Sequence, residues 1–218
     1  WPREEDVPAF RLFAAQVSAA LDAARTIQDI SLRNEELAAR NRLSEASASA
    51  PDLSSFLDQA AAVVMHAVDG HGFATWTWEP ERDELVLSHS IGETPAALSV
   101  GGRVPVGGSA IGGVLRTGTP RLLQIEEYPE RIRAAAAGMG FVTFASVPLR
   151  ARGRPVGVMN VAFRARRDES SARLDLLTSL SGHFAAAVEA QRFLDDLRHR
   201  VSELTLLNTV AVASASPE

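Results

Sequence analysis

Cysteine is absent from the 218 residues. That excludes disulfides, thiolate metal sites, iron–sulfur clusters, cysteine nucleophiles and thioether-linked chromophores. Lysine is absent too, so all 22 basic residues are arginine. Schiff-base and P-loop chemistry, which need a lysine amine, go with it. No run of about 18 consecutive apolar residues occurs, so the sequence offers no membrane-spanning helix. No export signal is present either, and the expected location is cytoplasmic. A surplus of positive charge is also missing. The net charge of −5 argues against a general nucleic-acid binder. The chain opens on Trp1-Pro2 without a methionine and reads as a piece of a longer protein. What is there is ordinary for a globular chain, 46% hydrophobic and 22% charged. This length buries a core without covalent staples.

An internal repeat links the two ends of the chain. Ala20, Ala23, Arg25, Asp29, Glu36, Leu37 and Asn41 recur in register as Ala187, Ala190, Arg192, Asp196, Glu203, Leu204 and Asn208. The hydrophobic phase repeats as well. Phe13, Val17, Ala24, Ile27, Ile30, Leu37 and Asn41 map onto Leu180, Phe184, Gln191, Leu194, Leu197, Leu204 and Asn208. Asn34 maps onto Val201. Both copies alternate steps of three and four, as a coiled-coil seam does. Both take two consecutive steps of three, at Ala24-Ile27-Ile30 and Gln191-Leu194-Leu197, which is a shared phase slip. The expected dimer seam is therefore Phe13, Val17, Ile27, Ile30, Leu37 and Asn41 in the first helix. In the last helix it is Phe184, Leu194, Leu197, Val201, Leu204 and Asn208. The two asparagines either set register in a buried seam or cap fraying helix ends. The first helix is expected from about Glu4 to Ser47, roughly 65 Å at 1.5 Å per residue. A small domain cannot cover such a helix, and the seam predicts the same helix of a second chain as its partner.

The central region predicts one helix, two strands, a mixed segment, two more strands and a long helix. Asp52–Val68 is amphipathic, and Phe73–Glu79 and Glu84–Ser90 alternate as strands. Ser109 starts a short helix that Gly118 and Pro120 stop. Pro129–Ala137 is a second short helix. Val142–Leu149 and Val156–Phe163 form a hairpin around Arg152-Gly153-Arg154. That order predicts an α+β domain, one antiparallel sheet with helices packed on one face.

The run Gly107-Gly108-Ser109-Ala110-Ile111-Gly112-Gly113-Val114 is followed by Arg116-Thr117-Gly118-Thr119-Pro120. Ser146-Val147-Pro148-Leu149 and Gly153-Arg154-Pro155-Val156-Gly157-Val158-Met159-Asn160-Val161 come next. In this order and spacing they resemble the GAF domain family of bacterial sensors, over residues 52–190. The resemblance implies an antiparallel sheet of five or six strands flanked by long terminal coiled-coil helices. It also implies parallel dimerisation through those helices and a small-ligand pocket between the sheet and the mixed segment. The expected organisation follows. Residues 1–50 are the end of a preceding unit with a connecting helix, 51–190 the sensor domain, and 191–218 a helix toward a following domain. The lysine-containing signature of cyclic-nucleotide-binding members is absent. Self-attached bilin and the cysteine chemistry of free methionine sulfoxide reductases are excluded. Haem ligation by a histidine stays open, and the cofactor is unknown.

Six residues are candidates for the pocket. Trp76 and Trp78 lie two apart and share a strand face, opposite Phe73, Thr75 and Thr77. They form either a stacking platform for a flat ligand or part of the core. Phe144 and Ser146 share one face of their strand. Asn160 sits in an apolar strand and needs a partner if it points inward, from a ligand or from a backbone group. His89 is the one histidine expected to border the pocket; His66, His71, His183 and His199 have no metal-ligand spacing. Three functions remain in play: a small-ligand-binding regulatory domain of a signalling protein such as a sensor histidine kinase, a ligand-free dimerising spacer, and a haem or chromophore sensor. No nucleophile–base pair or metal cluster emerges, so an enzyme is not expected.

Overall fold

The computed structural model describes residues 7–92, 101–167 and 172–215. Within them the side chains of 7–10, 131, 172, 195, 196, 199, 203 and 206–215 lie outside the description, His199 and Asn208 included. The chain divides into two units, Trp1–Ala38 and Ala39–Glu218. Helix α1, Val7–Ser49, supplies the described part of the first unit and enters the second with its tail. From Arg11 to Ser31 its side chains are exposed all round.

In the second unit Asp52 starts α2, Leu53–Val68, by accepting from the Ser55 amide at 2.7 Å. Six strands follow: β1 Gly72–Glu79, β2 Glu84–Gly92, β3 Arg103–Pro105, β4 Arg121–Gln124, β5 Thr143–Ala151 and β6 Arg154–Phe163. They form one sheet in the order β3-β2-β1-β6-β5-β4, and every pairing is antiparallel. Between β3 and β5 lie α3, Ala110–Thr117, a 3₁₀ turn at Ile125–Glu127, and α4, Glu130–Gly138. Helix α5, Ala172–Ala215, ends the described chain. The Ser109 hydroxyl accepts from Gly112 N, and Gly118 closes α3 in the left-handed region at φ 66°, as the composition predicts.

The α+β class and the antiparallel sheet agree with the sequence reading. The expectation of helices on one face is corrected, because both faces are covered. On one face the tail of α1 (Ala39, Leu43, Ala46), with α2 and α5, packs against Phe73, Val147, Met159 and Val161. On the other, α3, α4 and the 3₁₀ turn pack against Trp76, Leu85, Leu87, Phe144 and Val158. Both short helices of the second layer are expected from the sequence, but they are too brief for their pattern to show which face of the sheet they cover.

The seam is also corrected at one position. Phe184 is fully buried in the protomer's own core, its ring centroid 5.7 Å from Phe73 and 6.1 Å from Phe56. Gln191 is buried too, and its Nε2 donates to the Ser47 carbonyl of α1. The other apolar seam residues, namely Phe13, Val17, Ile27, Ile30 and Leu37 on α1 and Leu194, Leu197, Val201 and Leu204 on α5, are exposed. Asn41 is exposed as well.

Asp69 ends α2 and binds Arg173 of α5 at 3.0 Å, which holds its carboxyl below the ordinary 3.8. A depressed carboxylate contributes stability that is complete above its unfolded pKa and is lost as pH falls through the folded value. Melting temperature should therefore drop on acidification below about pH 4, and Asp69→Asn should make that drop shallower in a pH series of thermal melts. Phe184→Ala should lower unfolding free energy by about 3–5 kcal/mol, the cost of a large buried cavity, measured by urea titration. A loss under about 1 kcal/mol would return Phe184 to the surface.

Candidate functional site

Strand alternation builds the site. Along β6, Met159, Val161 and Phe163 face α5 and α2, whereas Val158 and Ala162 face α3 and α4. Asn160 shares the second face and stands opposite Ser146 of β5. Its Nδ2 donates to Ser146 Oγ at 2.9 Å. Between this face and the layer of α3 and α4 lies a cavity of about 110 Å³. Trp76, Ile111, Ile132, Phe141, Phe144 and Ala162 supply apolar walls, and Tyr128 and Asn160 bring polar atoms. Tyr128 stacks at 4.9 Å on Phe144, which also meets Phe141 edge-on at 6.2 Å. Among the described residues none of the lining side chains is charged.

Two polar atoms in this apolar setting are buried without a hydrogen-bond partner, the Tyr128 hydroxyl and Asn160 Oδ1. Such groups cost about 1–3 kcal/mol each when left unmet. Burial pushes the Tyr128 phenol well above its ordinary value of 10.0, and the nearby Ser146 and Asn160 side chains act in the opposite sense. The phenol is therefore protonated throughout the physiological range and able to donate.

Three of the six expected pocket residues line the cavity: Trp76, Phe144 and Asn160. Ser146 is fully buried behind Asn160 and orients its amide. Trp78 packs on the same core as Trp76 but outside the cavity, with its Nε1 buried and unpartnered. His89 is on the other side of the sheet. Thr75 is paired with His89 and the next residue, Trp76, with Leu87, so Ser88 is an extra residue in β2. Its hydroxyl donates to the Thr75 carbonyl at 2.9 Å. This bulge reverses the alternation, and His89 turns to α2, where its Nε2 lies 3.2 Å from Asp58. Strict alternation from Leu85 and Leu87 predicts the opposite face. His66, His71 and His183 are exposed. Among the described residues no three His, Asp or Glu side chains are grouped to hold a metal ion.

Tyr128, Ile111 and Phe141 complete the site and were not expected there. Tyr128 is the one tyrosine of the chain, set in the polar run Glu126-Glu127-Tyr128-Pro129-Glu130. A lone aromatic in such a run was the available signal.

The sequence profile described as the GAF domain matches residues 50–189. The chain belongs to the GAF domain family. Comparison with curated proteins finds no match. Among solved structures, it is similar to the GAF domain of an Acinetobacter phosphoenolpyruvate-protein phosphotransferase, at 20% identity and TM-score 0.59, covering 74% of this chain and 97% of that one. It is similar also to the free methionine-R-sulfoxide reductase of Neisseria meningitidis in complex with its substrate, at 24% identity and TM-score 0.55, covering 73% and 93%. A third is the GAF domain of a two-component sensor histidine kinase from Bacillus halodurans, at 17% identity and TM-score 0.53, covering 64% and 97%. These likenesses concern the fold. Among the described residues no helix is long and apolar enough to cross a membrane.

With no partner in hydrogen-bond geometry, the Tyr128 hydroxyl should be dispensable in the ligand-free protein. Tyr128→Phe is expected to raise unfolding free energy by about 1 kcal/mol, read from urea titration. A loss of similar size would place a hydrogen-bond partner at the hydroxyl.

Proposed function

We propose that this chain is a regulatory GAF domain of a cytoplasmic signalling protein, with a sensor histidine kinase as one such parent. It binds a small ligand between the sheet and the layer of α3 and α4, dimerises in parallel through its terminal helices, and passes the signal along them. The observation that carries this reading is the apolar cavity holding two unmet buried polar atoms, Tyr128 Oη and Asn160 Oδ1. A pocket with few, converging polar groups is the usual form of a small-ligand site. The role is regulatory rather than catalytic. Cysteine-based redox chemistry has no thiol to use in this chain.

The coupling is mechanical. Strands β5 and β6 present Phe144, Asn160 and Ala162 to the cavity and Ala145, Val147 and Met159 to the core that contains α5. A ligand that shifts these strands presses on α5 directly. Gln191 and Arg192 mark the point where α5 leaves the sheet, the first held to Ser47 and the second donating to Thr77 at 3.2 Å. The phase slip Gln191-Leu194-Leu197 begins there and offers two nearby helix packings. Residues 1–50 and 191–218 then serve as connecting helices on either side of the sensor.

Dimerisation is supported by the stripe of Leu194, Leu197, Val201 and Leu204, each exposed on α5, and by the separate stripe on α1. Exposed apolar residues repeated at coiled-coil spacing need a partner helix. Sedimentation velocity should show a dimer. Leu197→Arg with Leu204→Arg should shift it to monomer with the helix content unchanged. A wild-type monomer would remove the coiled-coil part of the reading. Native mass spectrometry of gently purified protein tests the sensor part. Extra mass on the dimer is expected; bare mass, with no small molecule recovered from the denatured sample, favours a ligand-free spacer.

A further inference from the structure

The ligand-binding reading leaves open what kind of molecule the cavity takes, and its walls narrow the choice. A volume of about 110 Å³ sets the size. An apolar cavity of about 150 Å³ holds one benzene ring, so a single six-membered ring is the scale of ligand that this space suits. Four aromatic side chains, Trp76, Tyr128, Phe141 and Phe144, stand around the space and offer edge and face contacts to a ring. Among the described residues none that lines the cavity carries a charge. An ionised ligand would surrender its hydration and meet no opposite charge among the described lining side chains. That argues against nucleotides, amino acids and carboxylic acids.

The two unmet polar atoms specify the rest. Asn160 Oδ1 is an acceptor, because the other end of the amide donates to Ser146. It needs a donor. The Tyr128 hydroxyl is protonated and both gives and takes a hydrogen bond. Both side chains line the same cavity. A ligand hydroxyl between them donates to Asn160 Oδ1 and accepts from Tyr128 in one placement. One water meets the same two groups, yet it leaves most of the apolar space without contacts. A hydroxyl carried on a ring fills both needs together.

Building on the proposed sensor role, we infer that the cavity recognises an uncharged, single-ring hydroxyl compound of the phenol class, its hydroxyl held between Asn160 and Tyr128. Recognition is by one shared hydroxyl and an aromatic box, with no ionic contact.

The test titrates the isotope-labelled chain, first freed of bound small molecules, with phenol, toluene and benzoate, and reads amide shifts along β6. Phenol should bind about tenfold more tightly than toluene, the worth of one well-placed hydrogen bond pair. Benzoate should not bind. Tyr128→Phe should bring phenol close to toluene, and Ala162→Leu, which fills the cavity, should abolish both. Circular dichroism of the two variants checks that they fold. Toluene equal to phenol, or benzoate tighter than either, overturns the inference while leaving a ligand pocket in place. If none of the three binds, the inference also falls, and xenon separates the causes. Xenon shifts confined to cavity amides mean that the pocket is open to another ligand. No xenon shifts mean a closed core, and the sensor reading falls with it.

Discussion

Pairing of Gly72–Thr77 in β1 with Gly157–Ala162 in β6 joins the two halves of the sheet, and every later feature hangs from it. Strands β2 and β3 reach the rest of the sheet only through β1, and β5 and β4 only through β6. The close approach rests on Gly157, where a Cβ would stand 1.9 Å from the Trp76 carbonyl oxygen. The same pairing sets which residues face which layer. Phe73 and Val161 go to the core beneath α2 and α5, Trp76 and Val158 to the core beneath α3 and α4. A slip of one residue would exchange the two sets and turn Asn160 into the helical core.

That two-sided character places the cavity and the long helix on one pair of strands. The cavity and α5 lie on opposite faces of the same two strands, so no chain of distant contacts is needed between them. Met159, fully buried between Asn160 and Val158 in sequence, belongs to the layer that α5 covers. Close-packed layers of this kind move as bodies rather than deform smoothly.

The long helices carry two different kinds of apolar residue on one continuous pattern. Phe184 and Gln191 are spent inside the protomer, on Phe56, Phe73 and the Ser47 carbonyl. Leu194, Leu197, Val201 and Leu204 stay exposed. The change falls where α5 passes the edge of the sheet, at Arg192 and Thr77. The heptad pattern does not announce the change, because a domain core and a second helix ask for the same apolar spacing.

Local chemistry made much of this protein readable from its residues alone. Asp52 and Ser109 start helices and Gly118 stops one because their side chains, or the lack of one, act within a few residues. The strands alternate, so Trp76 with Trp78, Phe144 with Ser146 and Val158 with Asn160 could each be placed on one face of their own strand. Tertiary structure decided the rest. The bulge at Ser88 turned His89 away, since a strand's face is set by its neighbour's register and not by its own pattern. Trp78 fell outside the cavity because the helical layer over it, not the strand, sets where the cavity ends. Tyr128 joined the site from a loop with no periodicity to read. Whether Asn160 Oδ1 has a partner could not be written in the sequence, because an unmet polar atom is a property of everything packed around it.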